Sequence, residues 1–199
     1  MLVLASASPR RSELLTQAGF HFSIHPAHIP EDPFPDEDPT AYVTRLARQK
    51  AEAVFEQLSK IPAVGGEISL DELVVLGADT TVTLDGAILG KPESSADAAR
   101  MLALLSGRTH RVITGVALVS AAHTQVAAES TAVQFLSVSA AEIADYVATG
   151  EPADKAGAYA IQGRAARWIP RIDGCYFNVV GLPLALVATL LAAHTTPKA

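Results

Sequence analysis

A mixed fold, α/β or α+β, is what this 199-residue chain predicts, and three observations carry the prediction. Short apolar, strand-like runs are interspersed with stretches of helical periodicity. The turn dipeptides Asp85-Gly86 and Asp173-Gly174 punctuate hairpins. Two long β-rich stretches, residues 110–120 and 125–136, are placed to pair antiparallel. The length suits one domain, or one domain with two lobes, and is enough to bury a core without disulfide or metal staples. No internal repeat is visible.

Residues 2–5 read as a buried strand, and Ser8-Pro9 then starts a helix from about 9 to 18, with Ser8 as N-cap, Pro9 in the first turn and Gly19 as the stop. Phe20-His21-Phe22-Ser23-Ile24 alternates as a second strand does. Residues 26–39 hold five prolines and a cluster of acids, and form a loop. Asp38-Pro39 opens a helix on which Tyr42, Val43, Leu46, Ala47, Ala51 and Val54 recur at helical spacing, with Lys50 on or beside that face. Residues 61–72 read as a flexible connection. Leu73-Val74-Val75-Leu76 is a continuous apolar strand that ends in Gly77-Ala78-Asp79-Thr80, and residues 81–84 and 87–89 form a hairpin about Asp85-Gly86. Ser95 caps a helix that covers 98–105 and ends at Gly107. A helix over about 140–148 follows the two long strands and ends at Gly150. Residues 167–172 and 176–180 give a further hairpin, Pro183 opens a last helix to about 193, and residues 195–199 fray.

Composition bounds the function. Hydrophobic residues at 49% with 18% charged describe a globular chain rather than a disordered one. A net charge of −6 argues against a general duplex nucleic-acid binder. The acidic stretch 31–38 supplies much of that charge, while Arg10, Arg11, Arg45, Arg48, Lys50 and Lys91 lie elsewhere. A local cationic pocket in an acidic protein suits a small anionic ligand. The lone Cys175 excludes an internal disulfide and reads as a structural residue. Residues 2–5 are too short for a signal peptide and 179–193 too short and too interrupted to span a bilayer, so the expected setting is the cytoplasm, with no membrane partner.

Several segments are able to carry chemistry. Ser6-Ala7-Ser8-Pro9-Arg10-Arg11 places two arginines where a helix begins, and unpaired N–H groups with bidentate guanidinium forks attract phosphate; an ordinary capped helix with solvated arginines explains these residues equally well. Asp79, at the end of a buried strand, is placed to hold Mg²⁺ or take a proton from an attacking water, or else to start the hairpin as an Asx turn. Gly90-Lys91-Pro92 offers a point charge to phosphate, although a solvated turn lysine is the commoner finding. His110 reads as structural. His21, His25 and His28 match no zinc pattern. The stretch 151–163 is the densest polar loop, in which Lys155 and two glycines precede Gln162, an amide able to read a base edge. Neither common nucleotide-binding glycine fingerprint is present.

Together these segments resemble the Maf family (septum formation protein Maf) of nucleoside triphosphate pyrophosphatases. The resemblance runs through residues 6–15, Arg45-Leu46-Ala47-Arg48-Gln49-Lys50-Ala51, 77–80, Gly90-Lys91-Pro92, 106–110, 151–163 and 178–184, nearly the whole chain. It implies a two-lobed α/β fold of the Maf and inosine-triphosphatase kind, forming one domain over 1–199 with the active-site cleft between lobes, in a homodimer. The implied reaction splits a nucleoside triphosphate between its α- and β-phosphates, with Mg²⁺ or Mn²⁺. Asp79 falls on the proton acceptor. Glu31, Lys50 and Lys91 fall near metal and triphosphate, with Glu31 and Asp79 as metal ligands. Arg10, Thr80 and Gln162 match the dTTP/UTP type, where the 7-methyl-GTP type has Trp, Gln and Glu. Ser8, Arg11 and Lys155 complete the expected substrate-binding set. The chain departs from the family in reading Ile29-Pro30-Glu31-Asp32 where an Asp-Glu pair is common, and in a longer 61–72 connection. Two other readings use the same residues: a nucleotide-binding regulator linked to cell division without turnover, and a division-linked interaction protein with an incidental pocket.

Overall fold

The computed structural model describes residues 1–60 and 72–195. Among them, β1 (Leu2–Leu4), β2 (Phe22–Ile24), β3 (Val74–Leu84), β4 (Ala87–Leu89), β5 (Thr109–Val119), β6 (Thr124–Gln134) and β7 (Arg171–Asp173) join one sheet in the order β2-β1-β3-β5-β6-β7, with β4 paired to β3. The helices are α1 (Pro9–Gln17), α2 (Pro39–Ser59), α3 (Ser95–Leu105), α4 (Ala140–Val147), α5 (Tyr176–Val180) and α6 (Leu184–Thr195). The α/β class is therefore the one observed. The chain divides into two compact units: Met1–Asp79 with Thr114–Glu129 and Gly181–Ala199, and Thr80–Ile113 with Ser130–Val180.

In the first unit β1 pairs in parallel with both β2 and β3, so Leu4 lies opposite Ile24 on one side and Leu76 on the other. Helix α2 is started by Asp38, whose Oδ1 accepts from the Thr40 and Ala41 amides at 2.9 and 3.0 Å, and by Pro39 in its first turn. Its apolar stripe, with Ala47, Ala51 and Val54, packs on Val3, Ala5, Val75, Ala117 and Val119. Two glycines set how close it lies. A Cβ on Gly77 would fall 2.1 Å from the Ala47 carbonyl oxygen, and one on Gly115 would fall 2.3 Å from that of Val43. Helix and sheet thus meet backbone to backbone, and this fixes the height of every side chain that α2 projects.

In the second unit the β3–β4 hairpin turns on Asp85 and Gly86, both at positive φ (52° and 83°), as the dipeptide predicts. Helix α4 carries a full capping box between Ser139 and Glu142. The core is aromatic: Tyr146 and Trp168 meet edge to face at 5.0 Å, and Phe135 lies against Tyr159 and His110 at 4.9 and 5.0 Å.

Four expectations are corrected. Residues 73–80 and 81–84 are not two strands but one, β3, so Asp79 stands inside a strand rather than at its end. The β-rich sequence continues without a Gly or Pro break after Asp79, and nothing there stops the ladder. Residues 176–180 are helical instead of forming the second arm of a hairpin. Thr131 Oγ1 engages both backbone groups of Cys175 at 3.0 Å, and Asn178 Nδ2 donates to Thr131 Oγ1 and the Val112 carbonyl, each at 2.9 Å; these side-chain bonds replace a strand ladder. Ser94, not Ser95, caps α3, accepting from the Asp97 amide at 3.1 Å. The 151–163 stretch is no open loop: it winds into 3-10 turns at Glu151–Asp154 and Ala156–Ala158, and Pro152, Gly157 and Ala158 are buried. Of the expected 61–72 connection and the fraying tail, residues 61–71 and 196–199 lie outside the described residues.

Candidate active site

Asp79 is the only acid of β3, and it is 7% exposed. Its Oδ1 accepts from Lys50 Nζ at 2.6 Å, and the same ammonium lies 2.7 Å from Glu31 Oε1. Lys50 is buried on the sheet-facing side of α2, one position before Ala51, where the close packing at Gly77 carries it against β3. Two carboxylates from different parts of the chain therefore converge on one cationic point. Burial pushes the Asp79 carboxyl above the ordinary carboxylate range, while the charges of Lys50 and Arg11 pull it back.

Arg11 stands behind this group. It is buried in the first turn of α1, where Nε donates to the Gly181 carbonyl at 2.8 Å and Nη1 donates to the Ala78 carbonyl at 2.9 Å and to Ser6 Oγ at 3.2 Å. One guanidinium thus ties the β1–α1 loop, the residue before Asp79 and the start of the C-terminal segment together. Burial lowers its pKa, and Asp79 and Glu31 act to raise it. Arg10 and Ser8 are half-buried beside it. Ser8 occupies the N-cap position of α1 but makes no side-chain cap bond; its amide donates to Ser6 Oγ at 3.2 Å.

Glu31 lies on the Pro-rich loop, and side chains of α2 hold that loop. Tyr42 Oη donates to the Glu31 carbonyl at 2.8 Å, and burial with the neighbouring Asp79 and Glu31 charges pushes the phenol up to about 12. Arg45 forks onto Glu37, with Nε to Oε1 and Nη2 to Oε2 both at 2.6 Å, which holds the Glu37 carboxyl below the usual range. The sequence places Tyr42 in the apolar stripe and Arg45 among the cations and in a family segment, but neither as a residue that holds this loop. The signal was present in their spacing, since Tyr42, Arg45 and Gln49 follow one another along one edge of the helix beside Lys50.

The remaining expected residues belong to the second unit. Thr80 follows Asp79 in β3 and is half-buried. Lys91 is exposed after β4, beside Gly90, whose carbonyl accepts from the Gly157 amide at 3.0 Å. Lys155 pairs with Asp154. Gln162 is exposed, and its loop is fastened by Glu151: that carboxylate accepts from Tyr146 Oη at 2.8 Å and from the Arg164 amide at 3.0 Å, and it fills the space a Cβ on Gly163 would need. His110 is buried, Nε2 lying 2.7 Å from Tyr159 Oη. Among the described residues no group of three or more His, Cys, Asp or Glu is placed to hold a metal ion, and no helix is long and apolar enough to cross a membrane.

The family model for Maf-like protein matches residues 1–194. This chain belongs to the Maf family. Its relatives include proteins named dTTP/UTP pyrophosphatase from Koribacter versatilis, 51% identical over 190 residues (96% of this chain, 92% of the relative), and from Moorella thermoacetica, 53% identical over 193 residues (96% and 93%). A third of that name, from Symbiobacterium thermophilum, is 47% identical over 196 residues (98% and 95%). Among solved structures, the Staphylococcus aureus Ham1 protein aligns over 98% of this chain and 99% of its own at 14% identity and a TM-score of 0.49, a likeness too low to bear on fold or activity.

Proposed function

We propose that this Maf-family protein is a nucleoside triphosphate pyrophosphatase that hydrolyses dTTP and UTP, or a modified pyrimidine nucleotide, to the monophosphate and pyrophosphate. Relatives at 47–53% identity along almost the full chain carry that name. The observation that carries the chemistry is the buried Asp79 carboxylate, held at 2.6 Å by Lys50 with Glu31 on the same ammonium. A site for anions alone would gain nothing from two acids; a site that activates water beside phosphates needs both signs of charge.

Asp79 takes the proton of the water that attacks the α-phosphorus, the bond from that phosphorus to the bridging oxygen breaks, and pyrophosphate leaves with the bond's electron pair. Its raised affinity for a proton suits a general base better than an ordinary solvated carboxylate would. Lys50 keeps the carboxylate oriented and supplies positive charge beside the phosphates. Arg11 fixes the backbone at Ala78 and so the direction in which Asp79 points. Asp79 and Glu31 fit a hard divalent cation, because Mg²⁺ and Mn²⁺ are commonly held by one or two carboxylates and completed by substrate phosphates and water. Bound there, the ion would supply Lewis-acid neutralisation of phosphate charge. For Arg10, Ser8, Thr80, Lys91, Lys155 and Gln162 we take the substrate-binding roles that the family resemblance implies. The same resemblance carries a homodimer, and the cytoplasmic setting is carried over from the expectation read in the sequence.

The test is pyrophosphate release by the purified full chain with Mg²⁺ or Mn²⁺ and a panel of the common nucleoside triphosphates and modified uridine triphosphates. Release from dTTP and UTP above all others is the expected result. Binding of those nucleotides with no pyrophosphate formed would replace the enzyme by a nucleotide sensor.

A further inference from the structure

The segment 25–38, which carries Glu31, has no regular secondary structure, four prolines and an exposed phenylalanine, yet Glu31 Oε1 is held 2.7 Å from Lys50 Nζ. What keeps it there is a cluster on the outer edge of α2. Besides the fork on Glu37, Arg45 Nη2 donates to the Asp32 carbonyl at 3.2 Å and Nη1 donates to Gln49 Oε1 at 3.2 Å. Its guanidinium carbon sits 4.1 Å from the centre of the Phe34 ring, which is otherwise 59% exposed. Glu37 returns the contact, since its Oε2 accepts from the Phe34 amide at 2.9 Å and its amide donates to the Phe34 carbonyl at 3.1 Å. One side chain thereby touches residues 32, 34 and 37, and Gln49 fixes it in place.

We infer that Arg45 is a positioning residue: it fastens the 31–37 segment onto α2 and so holds the Glu31 carboxylate against Lys50 and Asp79. This rests on the pyrophosphatase reading only for what Glu31 does once positioned. The pair is suited to the task because its side chains are only 14% and 9% exposed, so that water competes weakly for the fork. A lysine at 45 would supply the charge but neither the planar fork nor the stack on Phe34. Groups that orient a ligand without touching the ion are typically worth roughly 10–100-fold in metal affinity or activity.

The experiment compares wild type with Arg45→Ala and Arg45→Lys by three measurements on the full chain. These are Mn²⁺ binding without nucleotide by electron paramagnetic resonance, amide exchange over residues 31–37, and kcat and KM for dTTP at several Mn²⁺ concentrations. Arg45→Ala is expected to weaken Mn²⁺ binding roughly 10-fold or more, to speed exchange at the Phe34 and Glu37 amides but not in the core of α2, and to recover kcat as Mn²⁺ is raised. Arg45→Lys is expected to recover less than half of the lost affinity. Unchanged Mn²⁺ affinity with unchanged exchange in Arg45→Ala overturns the inference. Should that variant not fold, Arg45→Lys, which keeps the charge but loses the fork and the stack, decides in its place: wild-type Mn²⁺ affinity with wild-type exchange over residues 31–37 there overturns it equally. The Mn²⁺ titration judges Arg45 even if the wild type releases no pyrophosphate, so the two readings fail separately.

Discussion

Asp79 and Lys50 contact one another through a charge-assisted bond in a place where neither is solvated, so each determines what the other can do. Asp79→Asn keeps an acceptor for Lys50 and nearly the same volume but loses the base. Turnover is expected to fall by about 10²–10⁴-fold while the thermal midpoint barely moves, measured by pyrophosphate release and calorimetry. Full turnover in that variant would remove Asp79 from the chemistry. His110 is the second residue with a consequence. Burial lowers its pKa from 6.5 to about 4, so it stays neutral where the unfolded chain's histidine is charged. Between those values the unfolded state binds more protons, and stability falls as pH drops through about 6.5 toward 4, having its full value above that window. A shift of this size corresponds to on the order of 3 kcal/mol by the bottom of the window. Denaturant unfolding at pH 7, 6 and 5 should show a slope that His110→Gln flattens; equal slopes would mean that His110 is not the group responsible.

Among the elements, α2 does most to build the site, and it does so because it lies unusually near the sheet. Gly77→Ala or Gly115→Ala must push the helix off the Ala47 or Val43 carbonyl. Overpacking of that kind costs about 1–3 kcal/mol, and here the obstacle is backbone, which places both variants at the upper end. Because α2 also carries Tyr42, Arg45 and Lys50, activity is expected to fall together with stability, read by chemical denaturation and pyrophosphate release on the same samples. A variant that lost stability but kept wild-type turnover would show that helix height does not control the site. The same helix was legible in the sequence, from its Asp38-Pro39 start to its stripe of Val43, Leu46, Ala47 and Ala51, since capping and periodicity are local properties. The helical state of residues 176–180 was not. Val179 and Val180 favour strand on their own, and the bonds from Thr131 and Asn178 that override them join residues up to 66 positions apart.

At the scale of the molecule, each compact unit is assembled from separated stretches of chain. Ala117 and Val119, far along the sequence, complete the core that Val3, Ala47 and Val75 begin. A fragment ending at residue 79 would leave that core open on one side, and it is expected to lack a cooperative thermal transition although it contains Asp79, Lys50 and Glu31. A sharp transition in the fragment would contradict this. The sequence by itself determined the class of fold, most helix starts, the β3–β4 turn and the order of family motifs, because propensity, capping and turn chemistry act within a few residues. Only the tertiary structure decided that Asp79 lies within a strand, that Arg11 is committed to backbone carbonyls at Ala78 and Gly181, and that Arg45 secures the loop of Glu31. Each of these depends on which distant groups share a desolvated space, and there the strength of a contact is set by burial and close approach rather than by separation along the chain.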